Sequence, residues 1–107
     1  MAGIVFDRLA QSLSTASTAS VYLYAMNSGK RMTAVVKSDQ AVTFWITYGR
    51  STDNPDALPF KSLTISVPAG ETRGLSVEIM AGTAVGKLTI NNTSGSTAAI
   101  VADCGTI

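Results

Sequence analysis

The sequence predicts an all-β fold, an antiparallel β-sandwich of about seven strands. Along most of the chain apolar and polar residues alternate with a period of two, which marks strands with one buried and one wet face. Clusters of Gly, Pro, Asn, Asp and Ser break that alternation at intervals of roughly 8–12 residues, the rhythm of turns in a sandwich. With 107 residues the chain is one domain, long enough to bury a core without disulfide or metal staples.

Residues 1–19 read as an N-terminal arm and linker, and residues 20–107 as the sandwich. In the arm, Ile4, Val5, Phe6, Leu9 and Leu13 lie near helical spacing, and Phe6, Leu9 and Leu13 form one stripe. The small, polar run STASTAS then reads as a flexible link. An ordinary first strand over Gly3–Leu9 is the competing reading. An apolar arm on a polar tether must dock on its own body or on a neighbour, because its apolar surface is unstable in water.

Six segments follow in order. Val21–Met26 alternates Val21, Leu23 and Ala25 against Tyr22, Tyr24 and Met26, and Asn27-Ser28-Gly29 turns it. Arg31–Lys37 places Met32, Ala34 and Val36 on one face. Ala41–Tyr48, the most apolar run, places Val42, Phe44, Ile46 and Tyr48 on one face and Thr43, Trp45 and Thr47 on the other, which suits the middle of a sheet. Gly49–Pro59 holds two of the three Pro residues and is a loop at one end of the sandwich.

The stretch Leu63–Ile79 contains two alternating arms around Pro68-Ala69-Gly70. Pro68 presets the first turn position and Gly70 can take a positive φ. As a hairpin, Leu63 would face Leu75 and Val67 would face Glu71, leaving Arg73 on the apolar face. The two arms can instead lie in opposite sheets, the turn crossing between them. After the break at Ala81-Gly82-Thr83, Val85–Asn91 and Thr97–Cys104 complete the set. The expected core is Leu23, Val36, Phe44, Ile46, Leu63, Ile65, Val77, Leu88 and Ile100. Immunoglobulin-like and jelly-roll connectivities are equally compatible with this pattern.

Charge narrows the partners. Only 14% of residues are charged, against roughly 25% in a typical domain, and the net charge is +1. Such a surface offers little repulsion between copies, which points to a homo-oligomer or to burial against other subunits. Lys30-Arg31 is the only adjacent basic pair, so no nucleic-acid partner is expected. No apolar run approaches the ~20 residues of a membrane span, and the start of the chain does not read as a signal peptide.

Chemistry is scarce. The chain has no His, so the commonest general base and zinc ligand are missing, and its one Cys, Cys104, lies in an apolar run and reads as a buried hydrophobe. Asp53, Asn54 and Asp56 in the long loop suit turn chemistry first, with half of a two-carboxylate site or a calcium site as alternatives. No enzyme, no metal and no cofactor is expected. Trp45 points away from Phe44 and Ile46, and Tyr22 and Tyr24 point away from Val21 and Leu23. If these three rings share an outer face they form a platform for a protein partner or a glycan; burial of Trp45 under the arm or a loop is the alternative.

The phrase SVPAGETRGLSVEI, Ser66–Ile79, resembles the strand–turn–strand phrase of immunoglobulin-like modules in bacterial surface and phage virion proteins. The whole profile (about a hundred residues, low charge, an apolar arm, a Thr/Ser/Ala-rich β body) is similar to small phage virion proteins such as capsid decoration or cement proteins. That resemblance implies a structural subunit, assembled in the host cytoplasm and bound in the virion to its own copies or to other virion proteins. The partner-binding candidates are Ile4, Phe6, Leu9, Leu13, Tyr22, Tyr24 and Trp45. A carbohydrate-binding or adhesion module built on Trp45 and the Gly49–Pro59 loop is the alternative function.

Overall fold

The computed structural model describes residues 6–24, 31–79 and 84–106. Nine strands form among them: β1 (Phe6–Leu13), β2 (Thr18–Leu23), β3 (Arg31–Ser38), β4 (Val42–Arg50), β5 (Phe60–Lys61), β6 (Ile65–Val67), β7 (Thr72–Glu78), β8 (Ala84–Asn92) and β9 (Ala98–Thr106). The first sheet has the order β1-β9-β3-β7; the second has β2-β8-β4, with β5 and β6 sharing the far edge of β4. Every pairing is antiparallel. The chain steps from sheet to sheet at each connection except those joining β4, β5 and β6. Counting β5 and β6 as one interrupted strand, this is the jelly-roll connectivity, which settles the choice the sequence left open.

The inner faces of the two sheets interlock. Met32, Val36, Phe44, Ile46, Leu88, Ile90 and Ile100 are fully buried. Of the expected core, Leu23, Val36, Phe44, Ile46, Leu88 and Ile100 are buried, and Ile65 and Val77 pack half-buried against it. Leu63 is the exception, at 80% exposed. The cause is a bulge. Thr47 pairs with Lys61 and Phe44 with Ile65, so three steps along β4 correspond to four along its partner. The extra residue breaks the alternation, and Ser62 Oγ takes the Ile46 amide in place of a ladder carbonyl.

Leu63–Ile79 is not a hairpin. β6 lies in the second sheet against β4 and β7 in the first against β3, so the turn crosses the sandwich. Gly70 takes φ 79°, and the Glu71 amide donates to the Pro68 carbonyl at 3.1 Å. Arg73 consequently lies at the open edge of the first sheet, where it meets Glu71 at 2.8 Å and does not enter the core.

The N-terminal segment also differs from the arm and linker drawn over residues 1–19. From Phe6 to Leu13 it pairs residue for residue with β9. Leu9 and Leu13, four residues apart, share a side on a helix and on a strand alike, so their spacing cannot separate the two. Of STASTAS, the first four residues form a tight turn, with Ser17 N donating to Ser14 O at 3.2 Å, and Thr18 already opens β2. Buried Asn92 ties this turn to the neighbouring β8–β9 turn at the same end of the sandwich. Its Nδ2 donates to Leu13 O and Ser96 O at 2.9 and 2.8 Å, and its Oδ1 accepts from Ser94 N and Ser94 Oγ at 2.9 and 2.7 Å. Cutting the chain at Thr15 would therefore remove a strand and part of the core. Ile4, the Asn27-Ser28-Gly29 turn and the Ala81-Gly82-Thr83 break lie outside the described residues.

Candidate functional site

The two sheets present different outer faces. On the second sheet, Tyr22 of β2, Lys87 of β8, Thr47 of β4 and Lys61 of β5 form one row across the strands. Trp45 and Thr89 stand in the next row. Tyr22 and Tyr24 lie in parallel, ring centres 6.0 Å apart and planes 9° from coplanar orientation. Lys87 Nζ sits 5.2 Å from the Tyr22 ring centre, and Lys61 Nζ sits 4.9 Å from that of Trp45. Both are cation–π contacts.

The loop after β4 walls one end of this shelf. A Cβ on Gly49 would lie 2.6 Å from Asp53 Oδ2 and 2.8 Å from Pro59 Cδ, so the loop packs directly on the Gly49 backbone. Val85, although on the outward side of β8, is buried. Asp53 Oδ2 accepts the Arg50 amide at 2.8 Å and Asn54 Oδ1 the Asp56 amide at 3.0 Å, both turn contacts. The loop thereby holds Asp56 over the shelf. Asp56 Oδ1 accepts the Tyr22 hydroxyl at 2.5 Å and lies 3.6 Å from Lys87 Nζ. Donation to this carboxylate raises the Tyr22 phenol above its ordinary pKa, because ionising it would break the bond.

The outer face of the first sheet is less aromatic. Ala10 on β1, Ala99 on β9, Thr33 on β3, and Gly74 and Ser76 on β7 carry small side chains, while Lys37 stands directly across from Val101 and Arg8, Asp103 and Arg31 line the rest of the face. Val35 and Val101, diagonal neighbours, are 48% and 40% exposed. Arg8 grips Asp103 with two hydrogen bonds, at 2.6 and 2.8 Å, which raises the arginine and lowers the carboxyl from their ordinary pKa values. Arg31 is held against Ser76 at 2.8 Å.

Of the sequence-predicted contact residues, Tyr22, Tyr24 and Trp45 share the outer face of the second sheet; Tyr24 is 57% exposed, and Tyr22 and Trp45 are half-buried. Leu13 is buried and Leu9 packs half-buried against the core, so these two serve the chain's own interior. The Phe6 backbone opens β1 opposite Gly105. Lys87 and Lys61 are shelf residues that the sequence does not single out, and Asp56, read there as turn chemistry, joins them from its loop. The parity of Lys87 against Leu88 and Ile90 was a usable signal; the reach of Asp56 from its loop was not. Cys104 faces inward beside Asp7, and burial, with the negative Asp7 as a lesser cause, pushes its thiol up to about 12. Among the described residues no three His, Cys, Asp or Glu side chains gather as a metal site.

No family model matches the chain, and no curated protein matches it. Solved structures of similar fold do. The Yersinia pseudotuberculosis-derived mitogen superposes with a TM-score of 0.67 at 11% identity, over 96% of this chain and 86% of that one. A subunit of Bacillus endospore appendages, described as disulfide-linked pili, gives 0.52 at 19% identity, over 95% and 85%. The CBM36-1 domain of a multidomain xylanase from the hindgut metagenome of Trinervitermes trinervoides gives 0.50 at 12% identity, over 88% and 73%. At such identities the likeness establishes a shared β-sandwich fold.

Proposed function

We propose that the protein is a non-catalytic structural subunit of a larger particle, of the phage capsid decoration or cement kind that its sequence profile resembles, and that it meets its own copies through the outer face of the first sheet. The observation that carries this reading is the exposed Val35–Val101 pair at the centre of this face, with Lys37 and Asp103 directly across from the two valines. Burying that face removes apolar area from water, and its main ion pair, Arg8–Asp103, is already satisfied internally. A net charge of +1 leaves copies free to approach. A pilus subunit of similar fold supports the idea that this scaffold suits assembly.

Contact through the face is favoured over strand exchange at the edges. The edge strand β7 carries Arg73 on the inward side, opposite Val36. The edge strand β1 carries Asp7 and Gln11 on the inward side, opposite Cys104 and Ile100. Polar residues pointing inward from an edge oppose the addition of a further strand.

Replacing both Val35 and Val101 by Asp tests the reading. Light scattering should show a multi-subunit mass for the natural chain and a monomer for the variant, with association weakened at least about a hundredfold by the like charges brought together. A natural chain that stays monomeric at high concentration, or a variant that assembles as well as it does, would overturn the proposal.

A further inference from the structure

We propose that the outer face of the second sheet is a binding site for an uncharged carbohydrate, a neutral glycan or polysaccharide segment lying along Tyr24, Tyr22, Lys87 and Trp45. This goes beyond the assembly reading and does not depend on it, since the two faces lie on opposite sides of the sandwich.

Three observations converge on that chemistry. The first is aromatic. The parallel Tyr22 and Tyr24 rings and Trp45 offer electron-rich faces on one sheet surface, and the C–H face of a pyranose ring, slightly positive, packs well on such a surface. The second is polar. A sugar ring also presents hydroxyls at its rim, each both donor and acceptor. The shelf supplies both kinds of partner: the Asp56 carboxylate accepts, the Lys87 and Lys61 ammonium groups donate, and the Thr47 hydroxyl can do either.

The third observation is charge balance, which selects against an anion. Lys87 lies 3.6 Å from Asp56 and sits over Tyr22, and Lys61 sits over Trp45. One of the two lysines is paired with the Asp56 carboxylate, so the shelf carries a surplus of a single positive charge, far short of the clustered cations that hold a phosphate or sulfate chain. The shelf is also built in advance. The loop carrying Asp56 is fixed by its own turn contacts and by the close approach at Gly49, so little ordering remains to be done on binding.

Affinity gel electrophoresis of the full chain in gels cast with xylan, β-glucan, galactan or mannan, with heparin as an anionic comparison, tests the site. Retardation by at least one neutral polysaccharide is expected. Tyr24→Ala, at the exposed end of the shelf, should weaken it about tenfold, and Trp45→Ala should do the same. The Val35→Asp/Val101→Asp variant should be retarded like the natural chain, which separates a failure of this site from a failure of the assembly face. No retardation by any neutral polymer, retardation by heparin alone, or unchanged binding in a folded Tyr24→Ala variant would overturn the proposal.

Discussion

The two outer faces of the sandwich are made from the same alternating pattern and end up with opposite characters. That of the first sheet has two exposed valines at its centre, small side chains around them, and Lys37 and the Arg8–Asp103 pair beside them. That of the second is uneven, carrying two tyrosines, a tryptophan, two lysines and a loop folded back against it. The difference arises from the residues at outward positions and from one insertion. The connection after β4 is long enough to return over its own sheet, whereas the described connections bordering the first sheet are tight turns. The jelly roll thus puts the proposed assembly face and the proposed glycan shelf on opposite sides of one sandwich.

The strongest way to erase that contrast is to damage what both faces stand on. Asn92→Ala would take the side-chain partner from Leu13 O at a buried position and from Ser94 N, while Ser96 O keeps Ser94 Oγ. The expected loss is about 2–3 kcal/mol, at roughly 1 kcal/mol or more for each orphaned group. Thermal melting should show the midpoint falling by more than about 10 °C, and both faces should fail together.

Gly49→Ala should discriminate between the faces. Its new Cβ would collide with Asp53 and Pro59, forcing the loop off the second sheet at a cost of about 1–3 kcal/mol. Tyr22 would lose Asp56, and its phenol should return toward the ordinary tyrosine value, readable by ultraviolet titration. Self-association through the first sheet should be unaffected.

The smallest effect belongs to the Arg8–Asp103 pair at the rim of the first sheet. Because the folded state lowers the Asp103 pKa, the pair contributes stability above the ordinary carboxylate pKa and loses it as pH falls through the lowered value. Both groups are exposed, so the contribution is slight and screened by salt. Asp103→Asn should leave the melting midpoint at neutral pH nearly unchanged and flatten its acid dependence a little.

Much of the sandwich was legible in the sequence because burial imposes a period of two. Six of nine expected core residues are buried for that reason, and the turn at Pro68-Ala69-Gly70 was announced by residues that fit it. Leu63 failed because a bulge is a local change of register that leaves no trace in composition. The N-terminal strand stood as one of two readings, because a four-residue spacing fits both periodicities. The three rings of the shelf were foreseeable by parity alone. Asp56 was not, since a loop side chain 34 positions from Tyr22 meets it only through the fold.

Cys104 carries a last consequence. The only thiol in the chain points into the sandwich and resists ionisation until about pH 12. Neighbouring copies therefore cannot be welded together through it while the sheets stay closed. If copies assemble as proposed, reductants in the surroundings should leave the assembly as it is, since this thiol forms no bridge between them.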